Sequence, residues 1–195
     1  MRIVLPLTLA LLTATALPAR AVVEVIEVID QESASPTLVL SNTGGLQSFQ
    51  QAAANISGAG VYNYRNFGGG TGEISLWTDW PGANDAIMLA SGSGSLPISG
   101  GAWLDVHWTP VLITPDTTYY LDFSKAGYGF SGNLNEYSRG QFFFVTSAPG
   151  GFSPAPGYDA TFHTFSVTTV PEAGSASLLL FGLVIVGTAL RRRFT

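Results

Sequence analysis

Short segments in which apolar and polar residues alternate, bounded by glycine and proline, predict β-strands along this chain. The clearest alternation covers residues 103–108. Successive side chains of a strand point to opposite faces, so one face of this segment is predicted to carry Leu104, Val106 and Trp108. The opposite face then carries Trp103, Asp105 and His107. A turn at residues 114–117, which include Pro115 and Asp116, leads into a second alternating run at residues 118–123, which predicts a further strand.

Similar runs, rich in β-branched and aromatic residues, recur along the chain. They cover residues 22–29, 37–40, 61–67, 73–78, 86–90, 141–146 and 161–168. Roughly eight to ten short strands joined by turns predict an all-β domain, an antiparallel β-sandwich that resembles a jelly roll. Residues 46–56 fit a strand or one short helix, and the Ser-, Gly- and Pro-rich residues 91–101 and 148–157 are predicted as loops.

An uncharged apolar segment near the C-terminus predicts a helix that crosses a membrane. A helix over residues 173–190 would measure about 27 Å at ~1.5 Å per residue, which approaches the ~30 Å thickness of a hydrocarbon core. The spanning part is predicted at about residues 174–190, and Arg191, Arg192 and Arg193 follow it. Because basic residues stay on the cytoplasmic side, the residues before Glu172 are expected outside the cytoplasm.

The residues around this segment carry a family resemblance. Val170, Pro171 and Glu172, followed by the apolar run and three arginines, resemble the PEP-CTERM sorting signal of Gram-negative bacteria that secrete exopolysaccharide. In that family a Val-Pro-Glu-Pro motif precedes the helix; here Ala173 replaces the second proline. The resemblance implies that a membrane-embedded exosortase cuts near the motif and passes the protein on to the cell surface or the extracellular space. Residues 170–195 would be the sorting signal.

The N-terminus predicts export. Arg2 precedes an apolar run at residues 3–17, and Ala19-Arg20-Ala21 has the small-x-small form of a signal-peptidase site. Residues 1–21 are therefore predicted as a signal peptide that signal peptidase removes. Residues 22–169 would be the ectodomain, periplasmic while the inner membrane holds the C-terminal helix.

Charge and cysteine content exclude several functions. Residues 22–169 hold three basic and twelve acidic side chains, a formal charge of −9. A nucleic-acid-binding protein needs positive charge to neutralise phosphates, so nucleic acid is excluded as a partner. The chain has no cysteine, which excludes thiolate catalysis, cysteine-ligated zinc and iron–sulfur clusters.

The ectodomain carries a second resemblance. Residues 75–82 and 108–121, then Tyr137 to Gly140 and Asp159 to Phe162, are similar in order and type to motifs of bacterial extracellular β-sandwich domains of the choice-of-anchor type. The resemblance covers about residues 38–167. It implies the sandwich fold and no general activity.

Two binding sites are candidates. Aromatic rings stack on sugar faces, and Trp77, Trp80 and Trp103 are the candidates for a carbohydrate-binding platform; the alternative is that tryptophans on alternating strands belong to the core. Asp79, Asn84 and Asp85 lie in one loop and supply oxygen ligands suited to calcium; the alternative is that they cap local backbone groups. No other cofactor is expected.

Catalysis is not expected. The chain lacks the G-x-S-x-G, H-E-x-x-H and phosphate-loop motifs. The sequence thus predicts an exported surface or matrix protein with a structural or adhesive role in association with exopolysaccharide. An extracellular carbohydrate-binding module is the alternative, and a secreted glycoside hydrolase, which needs two carboxylates across a cleft, is a weaker one.

Overall fold

The computed structural model describes residues 23–41, 44–64, 70–96, 101–125, 129–146 and 151–171. The predicted signal peptide and the predicted membrane helix lie outside these residues. Within the described ranges, no helix has the length and apolar character needed to cross a bilayer. Val25–Thr168 form one compact unit, whereas Met1–Glu24 and Thr169–Thr195 are grouped in another.

The described residues form thirteen β-strands and no helix. In chain order they are β1 (Val23–Ser33), β2 (Leu38–Ser41), β3 (Gly45–Gln50), β4 (Asn55–Asn63), β5 (Gly70–Trp77), β6 (Met88–Leu96), β7 (Ala102–Leu112), β8 (Thr118–Lys125), β9 (Phe130–Asn133), β10 (Phe142–Val145), β11 (Phe152–Ala155), β12 (Asp159–Ala160) and β13 (Phe162–Pro171). The predicted all-β class is confirmed for this part of the chain.

The strands form two sheets. Sheet A has seven strands in the order β1-β13-β4-β9-β12, with β2 beside β9 and β7 beside β4. Sheet B has six strands in the order β11-β10-β3-β8-β5-β6. The pairings between strands with a defined register are antiparallel, as predicted. The finer jelly-roll topology stays a prediction.

Both sheets contribute to one hydrophobic core. The two central strands β4 and β8 supply Ile56, Val61, Leu121 and Phe123, which have 0% exposure. Ring contacts bridge the sheets, since Phe49 of β3 packs edge-on against Phe162 of β13 with centroids 6.4 Å apart. The described unit therefore has the layered arrangement of a β-sandwich, in which each sheet turns one apolar face inward.

Three segments differ from their predicted conformation. Residues 91–96, predicted as a loop, belong to β6, because the absent side chains of Gly92 and Gly94 allow β6 to approach β7 closely: a Cβ atom on either glycine would lie about 3 Å from Val106 or Leu104. The predicted loop at residues 148–157 contains β11, which pairs with the phenylalanine-rich β10. Residues 46–56 comprise most of β3, a short connection and the start of β4, so the strand alternative is confirmed for residues 46–50 and the helical alternative is wrong.

Candidate functional site

The three predicted sugar-binding tryptophans do not form one platform. Trp77 ends β5 in sheet B, where its indole N–H donates a 2.9 Å hydrogen bond to the Ser75 hydroxyl oxygen. Trp80 follows in the next loop and is 39% exposed. Trp103 lies instead on β7 of sheet A.

The strand registers separate Trp77 from Trp103. Trp77 pairs with Met88 at the start of β6, whereas Gly94, six residues further along β6, is the residue that lies against Leu104 of β7. At ~3.3 Å per residue, these two points on β6 are about 20 Å apart. Trp103 therefore belongs to a different part of the surface from Trp77.

The predicted calcium-binding loop makes local backbone contacts. The Asp79 carboxylate accepts a 2.7 Å hydrogen bond from the Trp80 N–H, and Asn84 and Asp85 are exposed. Among the described residues, no group of three or more His, Cys, Asp or Glu side chains is arranged to hold a metal ion. Asp79 satisfies a local backbone donor, and a calcium site at Asp79, Asn84 and Asp85 stays a prediction.

A different cluster occupies the outer face of sheet A. Five rings follow one another across β4, β7 and β13, and we call them the ring row: Tyr62, Trp103, His163, Phe165 and His107. Successive ring centroids are 5.5, 4.1, 4.7 and 4.9 Å apart. The Trp103 and His163 rings are stacked, with 30° between their planes, so His163 is buried even though it points away from the core.

Two glycines on β4 allow the ring row to form. β7 and β13 pair with opposite edges of β4, and both registers align Asp105 and His163 with Gly60. A Cβ atom on Gly60 would overlap the Asp105 Oδ1 and His163 Nε2 atoms, and one on Gly58 would contact the rings of His107 and Phe165 at 3.1 Å. Because both positions lack a side chain, groups from β7 and β13 meet above the β4 backbone.

Two carboxylates border the ring row, and each contacts one of its histidines. The His163 Nε2 atom lies 2.8 Å from Asp105 Oδ1, and the His107 Nδ1 atom lies 3.1 Å from Glu27 Oε2. Ser57 donates a 2.6 Å hydrogen bond to Glu27 Oε1. The Asp105 and Glu27 side chains keep 40% and 35% of their surface exposed, so both carboxylates remain accessible to a ligand.

The two cationic side chains whose contacts the structure describes lie elsewhere. Lys125 of β8 pairs with Glu73 of β5, both in sheet B, at 3.4 Å. Arg139, in the loop before β10, pairs with Asp116. The outer face of sheet A therefore offers aromatic surface and hydrogen-bond acceptors, and in its described part no lysine or arginine balances Asp105 and Glu27.

A second polar cluster lies inside the sandwich. The Asp159 carboxylate, which is fully buried, accepts hydrogen bonds from Gln47 Nε2 at 3.1 Å and from the Tyr137 N–H at 2.9 Å. Burial raises the pKa of the Asp159 carboxyl; the two hydrogen bonds lower it, and the negative charge of Glu136 raises it further. Enclosed in this way, the cluster joins β3 to β12 and has a structural role.

Sequence reasoning found part of the ring row. The alternation in residues 103–108 correctly places Trp103, Asp105 and His107 on one face. Gly58 and Gly60 inside a strand were the missed signal, because an interior glycine marks a site where neighbouring groups approach the backbone closely. Nothing local in the sequence shows that β13, about a hundred residues later, is the strand beside them.

Comparison with known proteins adds one finding. Residues 169–193 match the PEP-CTERM protein-sorting motif. This match supports an exported protein that an exosortase-type system processes from a membrane-anchored precursor to the surface. No curated protein and no solved structure matches the chain.

Proposed function

We propose that the chain is a cell-surface or extracellular-matrix protein, with a structural or adhesive role in association with exopolysaccharide. The observation that carries this proposal is the sorting motif at residues 169–193, joined to an all-β unit with a ring-bearing outer face. The motif accounts for export and processing, and the outer face provides a surface on which a polymer can lie.

The construction of the all-β unit suits an extracellular structural role. Its core rests on side-chain packing from both sheets and uses no disulfide, since the chain has no cysteine. A rigid sheet also holds surface rings at fixed spacings, which is useful for repeated contact with a regular polymer.

A carbohydrate-binding module is the second candidate. The ring row favours it, because aromatic side chains with a few placed polar groups are typical of ligand-binding surfaces. The two candidates differ in specificity. A module binds one polysaccharide saturably, whereas a structural matrix protein is retained through many weak contacts and releases only when the polymer is degraded.

The experiment compares the wild-type chain with a Pro171→Ala/Glu172→Ala variant in the native host. We expect the wild-type protein to be cut near the motif and recovered with the polysaccharide matrix, and to be released when glycosidases digest that matrix. The variant should remain a full-length membrane precursor. Lys125→Gln, a change in the ectodomain, serves as a control that should be processed normally.

Two outcomes would count against the proposal. Wild-type protein that keeps its full mass in the inner membrane would contradict processing by an exosortase. Mature protein that leaves the matrix equally well with and without glycosidase digestion would contradict the association with polysaccharide.

A further inference from the structure

We propose that the ring row, together with Asp105 and Glu27, is a binding site for an uncharged polysaccharide. The inference rests on the proposed function and assigns to it a site and a ligand chemistry. The ligand is a chain of neutral sugars, which bear hydroxyl groups and no carboxylate, sulfate or phosphate.

The rings provide the apolar part of the contact. Neutral sugars present C–H groups on one face and hydroxyl groups around the edge, so an aromatic ring packs against the face while polar groups meet the edge. Trp103 and Tyr62 are half-buried on the outer face of sheet A, and Tyr64, just beyond the end of β4, is 51% exposed. Tyr64 adds an exposed ring to the chain directly after the end of β4.

The carboxylates provide the polar part. Sugar hydroxyl groups donate hydrogen bonds, and ionised carboxylates are strong acceptors with several lone pairs. Asp105 and Glu27 each contact one histidine nitrogen, and each keeps over a third of its side-chain surface exposed. A ligand lying along the ring row would therefore meet an acceptor beside each histidine.

The charge of the described surface disfavours acidic polysaccharides. An acidic polymer needs lysine or arginine to pair with its anions, but the described cations Lys125 and Arg139 already pair with Glu73 and Asp116. Residues 22–169 also carry a formal charge of −9, which repels a polyanion. Neutral sugars are compatible with this surface because their binding needs no opposite charge.

The arrangement of side chains above Gly58 and Gly60 of β4 fits an extended polymer. Gly58 and Gly60 bring Asp105 and His163, and likewise His107 and Phe165, together above β4, so side chains fill the space over both glycines. The contacts follow one another for four ring-to-ring steps. Trp103 and His107, the half-buried and the exposed ring of β7, lie four residues apart, about 13 Å at ~3.3 Å per residue, so an extended polymer that lies along β7 can contact both.

The test measures binding of the full chain, purified in detergent, to three polymers: dextran, which is uncharged, alginate, which is anionic, and chitosan, which is cationic. We compare the wild type with Tyr64→Ala, Trp103→Ala and Asp105→Asn. Tyr158→Ala removes an exposed ring outside the ring row and is the matched control. Thermal unfolding of each variant verifies that it is folded, and Tyr64→Ala and Asp105→Asn cover the case in which Trp103→Ala is not.

We expect saturable binding to dextran that changes little between low and high salt, and no binding to alginate. The affinity for dextran should fall about tenfold in Asp105→Asn, the equivalent of one lost hydrogen bond to a charged group, and should also fall in Tyr64→Ala. Tyr158→Ala should bind as the wild type does.

Three results would overturn the inference: binding to alginate, dextran binding that all the folded variants retain, or binding to chitosan alone that high salt abolishes. The last would mean nonspecific attraction of a polycation to an acidic protein.

None of these three results depends on sorting. A folded chain that is processed and retained in the matrix yet fails here would disprove this site and leave the proposed function standing.

Discussion

Gln47 and Asp159, which are 112 positions apart in the sequence, are joined inside the sandwich by a 3.1 Å hydrogen bond from the Gln47 Nε2 atom to the Asp159 Oδ1 atom. The Gln47 Oε1 atom in turn accepts a 2.8 Å hydrogen bond from the Ala160 N–H. The glutamine side chain therefore bridges a carboxylate and the next backbone donor, and it fixes β12 against β3.

The pH dependence of stability should reveal the buried carboxyl group. Burial raises the pKa of Asp159 above its ordinary value of 3.8, so the folded state holds this proton more tightly than the unfolded state does. The contribution of Asp159 to the free energy of unfolding is therefore fully present below the ordinary value and is lost as pH rises through the folded-state pKa. Denaturant unfolding of the wild type and Asp159→Asn, at pH values from below 3.8 upward, measures this contribution to the free energy of unfolding.

The comparison variant for this experiment is Asp85→Asn, which removes the same charge from an exposed loop. The difference in stability between the wild type and Asp159→Asn should fall as pH rises, and this fall should exceed any change with pH that Asp85→Asn shows. A difference that stays flat or grows with pH would show that burial does not raise this pKa.

Alanine at Gly58 should cost more stability than alanine at Gly60. A Cβ atom on Gly58 would overlap the backbone carbonyl oxygen of Val106, so β4 and β7 must separate, at a cost of about 2–3 kcal/mol. The three atoms nearest to a Cβ atom on Gly60 belong to the side chains of Asp105 and His163, which can move more readily than a backbone carbonyl, so the cost should be about 1 kcal/mol. Urea unfolding of the two variants compares them.

A double-mutant cycle tests the cause of the smaller cost. In an Asp105→Ala/His163→Ala background, Gly60→Ala should lose most of its destabilising effect, because the groups that it displaces are gone. If Gly60→Ala is equally destabilising in that background, its cost comes from backbone strain and not from the displaced side chains.

Trp108 should contribute to stability through its ring and its indole nitrogen separately. It packs against the core, and its Nε1–H donates a 3.2 Å hydrogen bond to the Ile56 carbonyl oxygen. Trp108→Ala should cost about 3–5 kcal/mol, and Trp108→Phe, which keeps apolar contact, about 1 kcal/mol for the lost hydrogen bond. Thermal and urea unfolding measure both variants. Trp80→Ala, at a more exposed site, should stay within about 0.5 kcal/mol.

The arginines at the end of the sorting motif should set the orientation of the precursor. Replacing Arg191, Arg192 and Arg193 with glutamine removes the positive charge that we expect to keep this end in the cytoplasm. We expect weaker membrane retention and less processed protein, measured by fractionation and intact mass. Arg139→Gln, outside the motif, should sort normally. Unchanged sorting of the triple variant would argue against this topology.

The sequence predicted strands best where side-chain type and alternation agree. The buried pair Leu104 and Val106 on β7 and the turn at Pro115 and Asp116 are confirmed. Prediction failed at residues 91–96, because serine and glycine are typical of loops and only the approach of β7 explains their use in a strand. The sequence also did not predict which distant strands are neighbours. β13 and β7 meet across Gly60 because of the sheet order, which no local pattern encodes.

The position of β1 at the end of sheet A has a consequence for crowding. Its exposed side chains include Val25, Val28 and Ile29, and an exposed apolar edge strand can pair with another chain. Glu27 and Glu32 on the same strand, however, are exposed carboxylates. A second copy aligned along this edge would bring like charges to within a strand spacing, about 5 Å. Repulsion between these carboxylates should oppose such pairing, and because salt screens it, we expect the tendency to self-associate to rise with ionic strength.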